Sequence, residues 1–216
     1  NPSLVGSEMC IRDRHRCEKP RFSDSEVELE TATDRELCMD LIDSSLEMQG
    51  PLLSQHRDQN GVTLIRVDSV LPCAFLHANS AAITTPEHHG YKALICHDKG
   101  LEPWSTDQSA VGPLDLERLG EGPVFLQLFL RGNPFLAGQQ RQESWAEAIQ
   151  QLLGVERLSG LAVYGCPYRW DTLRRLIPDS IPAGYSPGQM PEAQQQLLNR
   201  MWGLKGELHE RQDFTD

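Results

Sequence analysis

The sequence predicts a three-layer α/β/α sandwich with a mostly parallel sheet of about five or six strands. Two observations predict it. Short apolar runs recur along the chain: Val62–Val67 (VTLIRV), Lys92–Cys96 (KALIC), Val124–Leu130 (VFLQLFL) and Leu161–Tyr164 (LAVY). Runs apolar at successive positions are strands covered on both faces. Between them lie segments with helical spacing, and strand–helix–strand alternation produces parallel crossovers.

Taken in order, the chain starts with a segment to be set aside. Leu4–Asp13 resembles one translated frame of a common transposase sequencing adapter, so residues 1–14 are expected to be disordered and the natural chain to begin near His15. Residues 15–32 lack periodicity and read as a linker. Thr33-Asp34-Arg35-Glu36 has the form of a capping box. The helix it opens is expected to run through Leu37, Leu41, Ile42, Leu46 and Met48 to Gly50-Pro51. After the strand Val62–Val67, Pro72 interrupts the chain and Thr85-Pro86-Glu87 starts a short helix or turn. Asp98–Pro123 is long for a connection, carries Trp104, and contains one short helical candidate, Leu114–Leu119.

Val124–Leu130 is the strongest strand signal and belongs near the middle of the sheet. Ser144-Trp145-Ala146-Glu147 is a second capping box, and Trp145, Ile149, Leu152 and Leu153 form the face of its helix up to Gly154. The stretch Gly160–Gly203 then reads strand, turn, helix, strand, turn, helix. Trp170, Leu173, Leu176 and Ile177 share one helical face stopped by Pro178, and Ser180–Tyr185 gives a second strand. Pro191 suits a first helical turn, Ala193, Leu197, Leu198, Met201 and Trp202 follow at helical spacing, and Gly203 is the C-cap. One domain over 33–203 results, followed by a polar tail at 204–216.

Composition narrows the function classes. The net charge of −11 opposes a surface that tracks nucleic-acid phosphates. No run approaches the roughly 20 apolar residues of a membrane helix. Outside the adapter-like segment, Cys17, Cys38, Cys73, Cys96 and Cys166 are odd in number, widely spaced and never CxxC. They are expected to be buried free thiols in a reducing compartment, which points to the cytoplasm. No HExxH, Walker loop or GxGxxG is present, so neither a metal nor a cofactor is expected.

The pairing of Tyr164-Gly165-Cys166-Pro167-Tyr168 with the Tyr185–Gln194 turn (YSPGQMPEAQ) resembles the C-terminal domain of glycoside hydrolase family 3, and Arg131-Gly132-Asn133-Pro134-Phe135 fits the same pattern. The resemblance spans roughly 33–203 and is nearest the bacterial β-glucosidases and β-N-acetylhexosaminidases. It implies an α/β sandwich that packs on an N-terminal (β/α)8 barrel, with the barrel holding the nucleophilic Asp. By that resemblance the natural protein is longer upstream. No barrel motif and no acid/base Glu maps onto this chain, so no catalytic residue is carried over. The alternative is a stand-alone, non-catalytic binding or interaction module.

Gly184-Tyr185-Ser186-Pro187-Gly188 matches the G-x-S-x-G elbow between a strand and a helix. The residue after its serine is Pro187, which lacks the N–H an oxyanion hole requires. Ser186 therefore reads as a turn residue. His88-His89 beside Glu87 reads as an exposed turn, and Cys166 as a packed thiol. Arg131 and Asn133 leave the carboxyl end of the expected central strand, and Tyr168 the end of its neighbour. Open α/β sheets place ligands there. These three are the candidate substrate- or barrel-facing residues, against a plain role in turn formation.

Overall fold

The computed structural model describes residues 31–53, 60–67, 75–96, 113–130 and 145–204. Six strands form one mixed, mostly parallel sheet: β1 (Glu47–Gln49), β2 (Gly61–Val67), β3 (Tyr91–Cys96), β4 (Val124–Leu130), β5 (Leu158–Gly165) and β6 (Ala183–Ser186). Their spatial order is β1-β6-β5-β4-β2-β3. All pairings are parallel except β1 with β6.

The VFLQLFL run explains the layers. Every residue of β4 is buried. Val124, Leu126, Leu128 and Leu130 enter one core, while Phe125 and Phe129 enter the other. α3 (Trp145–Gly154) and α4 (Pro167–Leu173, continued by a 3-10 turn to Leu176) cover the first face. α1 (Ala32–Ser45), α2 (Ala81–His88) and α5 (Pro191–Trp202) carry the residues packed on the second. Full burial of a Leu or Phe contributes about 1.5–3 kcal/mol, and β4 supplies such residues to both cores. A charged residue at Leu126 would leave an unpaired charge where no water reaches. Among the described residues no helix is long and apolar enough to cross a membrane.

Several elements differ from expectation for local reasons. The first helix is capped two residues early. Thr31 Oγ1 accepts the Asp34 N–H at 3.1 Å, and Asp34 accepts the Thr31 N–H at 3.0 Å and its hydroxyl at 2.7 Å. Those bonds, the hydroxyl's first, hold the exposed Asp34 carboxyl below its ordinary range. α1 ends at Ser45, not at Gly50. The hydroxyls of Ser44 and Ser45 bond back to the Leu41 and Ile42 carbonyls, and Glu47–Gln49 pairs along the free edge of β6. Edge pairing satisfies backbone groups that a frayed last turn leaves open.

α2 begins at Ala81, so Pro86 sits inside the helix instead of opening it. Proline has no N–H for the carbonyl four residues back, that of Ala82. Gln127 of β4 fills the gap: its Nε2 donates to the Ala82 carbonyl at 2.6 Å. Leu114–Leu119 forms turns instead of a helix. Its backbone is held from outside, by Gln151 on both polar groups of Leu114 and by Arg157 on the Leu119 carbonyl. The last strand is shorter than expected, Ala183–Ser186, because Ile181 closes a turn on the Pro178 carbonyl. Cys96 is buried and Cys166 half-buried, but Cys38 is exposed on α1, contrary to the expected buried thiol. Pro72, Trp104 and Ser144 lie outside the described residues.

Candidate functional site

β3 lies to one side of β2 and β4 to the other. The chain therefore reverses direction across the sheet between β2 and β4, a topological switch whose carboxyl-terminal end is where such sheets hold ligands. Val67 and Leu130 end these two strands, and Arg66, buried at 4% exposure, lies just inside. Arg131 and Asn133 follow directly but lie outside the described residues.

β5 ends beside β4, with Gly165 opposite Leu130. Only glycine suits that position. Its φ is +106°, and an added Cβ would fall 2.2 Å from the Leu130 carbonyl oxygen. The turn it permits starts α4 with Pro167 in its first turn. Tyr168 comes next and is 82% exposed, the most exposed of the large hydrophobic side chains in the described structure. The helix anchors its backbone, since its carbonyl accepts the Thr172 hydroxyl at 3.0 Å. The ring is thus presented to its surroundings from a fixed base.

The YSPGQMPEAQ turn is a set of clamps on these strand ends. Tyr185 stacks on Trp170 at 5.7 Å, and its hydroxyl donates to the Gly165 carbonyl at 3.1 Å. Burial first, then the charges of Cys166, Glu47 and Asp171, pushes its pKa up to about 12. Gln189 Nε2 donates to the Leu130 and Tyr164 carbonyls at 3.3 and 3.2 Å. Gln194, fully buried, accepts the Ala82 N–H and donates to the carbonyls of Phe75 and Gln189. Gln127 completes the network, donating to Thr63 Oγ1 at 2.8 Å and accepting the Tyr164 hydroxyl at 3.1 Å. Burial raises the Tyr164 pKa strongly. Three glutamines therefore tie β2, β4, β5, α2 and α5 together near the carboxyl ends.

Sequence reading saw Gln189 and Gln194 only as letters of a turn pattern and gave none of the three glutamines a role. The signal for Gln127 was one polar residue inside an apolar strand. Ser186 is 1% exposed and its Oγ accepts the Gly188 N–H at 3.2 Å. That is a serine turn, with the hydroxyl sealed from any substrate. His89 stacks on Trp202 at 4.9 Å and so packs against α5, while His88 at the end of α2 is exposed as expected. Glu47 accepts the Trp170 indole N–H at 2.7 Å, and Arg174 bridges toward Asp171 at 3.0 Å. The described turns 165–168 and 186–190 contain no Asp or Glu. Two shallow depressions, one lined by Gln49, Arg174, Arg175, Ile177 and Asp179 and one by Asn60, Glu121, Gly122, Pro123, Glu156 and Arg157, lie at the opposite, amino-terminal strand ends.

Comparison with known proteins supplies the family. No curated protein matches the sequence. The fold is similar to a solved glycoside hydrolase family 3 β-N-acetylglucosaminidase from Paenibacillus sp. str. FPU-7, at 13% identity and a TM-score of 0.50. That match covers 94% of this chain and 37% of the other. It is also similar to a β-glucoside phosphorylase, BglX, at 9% identity and a TM-score of 0.51, covering 82% of this chain and 31% of that one. The chain thus spans about a third of the length of these structures. The family model for the bacterial glycosyl hydrolase family 3 C-terminal domain matches residues 54–203, and the chain therefore belongs to glycoside hydrolase family 3, of which it carries the C-terminal domain.

Proposed function

We propose that this chain is the second domain of an enzyme that hydrolyses β-glucosides or β-N-acetylglucosaminides, packing on and completing an upstream (β/α)8 barrel. The nucleophilic Asp belongs to that barrel. The observation that carries this reading is the carboxyl-terminal rim of the sheet. Its turns are clamped by buried glutamines and present Tyr168, yet the turns at 165–168 and 186–190 hold no carboxylate. Glycoside hydrolysis needs two carboxyl groups about 5–10 Å apart on either side of one sugar. A rim of this kind can shape a sugar site or cover a neighbour, with Arg131, Asn133 and Tyr168 as the facing residues, while its described turns at 165–168 and 186–190 supply neither an acid nor a nucleophile.

The test is turnover of nitrophenyl β-glucoside and β-N-acetylglucosaminide by the purified chain and by its barrel-containing parent. The parent is expected to turn over one of them and the chain alone neither. Turnover by the chain at the parent's rate, abolished by replacing one of its own Asp or Glu residues, would refute the proposal and favour a self-sufficient domain.

A further inference from the structure

We infer that the Leu37–Leu41 flank of α1 is the surface on which an apolar patch of the upstream domain docks. This rests on the two-domain reading above and names the contact it requires. α1 carries a wider apolar arc than its own packing uses. Ile42 and Leu46 are each 8% exposed and enter the core, which is enough to seat the helix. Leu37 and Leu41, one turn apart, remain 58% and 60% exposed, and the exposed Cys38 lies between them along the helix. At i and i+4 the two leucines form a continuous apolar ridge.

That ridge is held in place. Asp43 pairs with Arg200 at 2.6 Å, β1 pairs with β6, Glu47 bonds Trp170, and the Leu53 N–H donates to the Met201 carbonyl at 2.7 Å. Residues 43–53, ahead of the family match that begins at 54, are therefore part of the folded body. A partner meeting it meets a preformed surface.

Size selects the occupant. Two leucines offer roughly 100 Å² each of apolar surface, far below the ~1,200 Å² of an independent stable complex. Two copies of the chain meeting at this ridge would also fall short. A domain joined through the start of α1 is different. Residues 15–32, read as a linker, lead directly into α1, and a short flexible tether holds a neighbour at an effective concentration of about millimolar. A ridge this small is useful only to a tethered partner.

Cys38 reports directly on coverage. Its alkylation rate by N-ethylmaleimide, followed by peptide mass spectrometry, is compared in the purified chain and in the barrel-containing parent. The parent is expected to react at least about tenfold more slowly, as a thiol does when shielded. Leu37→Ser with Leu41→Ser in the parent should restore the rate to that of the isolated chain. The same pair should lower the isolated chain's urea midpoint only slightly, because both side chains are mostly exposed and the change costs little beyond helix propensity. Equal Cys38 rates in chain and parent, while the parent's two domains unfold in one transition, would overturn this docking face and leave the two-domain reading standing. Domains that unfold independently in the parent would overturn both.

Discussion

Replacing Gln127 by Met keeps the volume of the side chain and removes its polarity. In the structure this orphans three buried groups: the Ala82 carbonyl, the Thr63 hydroxyl and the Tyr164 hydroxyl. A buried polar group left without a partner costs about 1–3 kcal/mol. The two hydroxyls can rotate toward other acceptors and the carbonyl cannot, so a loss of about 3 kcal/mol is expected. With a urea m-value of about 2 kcal/mol/M, the midpoint should fall by about 1.5 M. The carbonyl's share can be isolated. Pro86→Ala restores an N–H opposite the Ala82 carbonyl, which the helix of the native chain lacks. In the Gln127→Met background that bond should return about 1 kcal/mol more than Pro86→Ala does alone, a coupling that a double-mutant cycle reads directly. A Gln127→Met loss below about 0.5 kcal/mol, or no coupling with Pro86, would refute the claim that β4 repairs the proline gap in α2.

Four further outcomes follow from the same structure. Gly165→Ala should cost at least about 2 kcal/mol, from a left-handed φ and a clash with the Leu130 carbonyl. Gly154→Ala, in a helix and with nothing within 4 Å, should stabilise by about 0.5 kcal/mol in the same urea titration. Ser186 should resist fluorophosphonate labelling, and Ser186→Ala should cost only about 1 kcal/mol for its one turn bond; stoichiometric labelling would show an accessible, activated hydroxyl. Tyr91, Tyr164 and Tyr185 all have folded pKa values raised above 10.0, chiefly by burial. Their contribution is complete below pH 10 and is lost as pH rises through the folded values, with Tyr185 at about 12. The urea midpoint should be insensitive to these groups below pH 10 and fall above it, together with the appearance of tyrosinate absorbance. A midpoint still flat at pH 12 would refute the burial argument.

The predictions from sequence succeeded where one local signal determines one outcome. VFLQLFL could only be a strand covered on both faces, and β4 is buried at every position near the middle of the sheet. Pro191 and Gly203 bracket α5 as read, with Gly203 left-handed and the Leu204 N–H closing on the Asn199 carbonyl. The turns that carry the family resemblance were visible as patterns of Gly, Pro and Gln. Their purpose was not, because Gln189 and Gln194 act on carbonyls and N–H groups up to 119 residues away.

What the sequence by itself determined is the strand and helix alternation, the two-faced core and the family, since apolar periodicity and turn chemistry are local and survive without a structure. Tertiary structure alone decided where α1 stops, because the free edge of β6 competes for the backbone at Glu47–Gln49. It alone decided that α2 tolerates Pro86, because a glutamine from β4 replaces the missing donor. It also showed that Leu37 and Leu41 stay in water while Ile42 and Leu46, on the same arc, do not. In each case a helix pattern says which side chains are apolar, but the position of the neighbouring sheet determines which of them are covered.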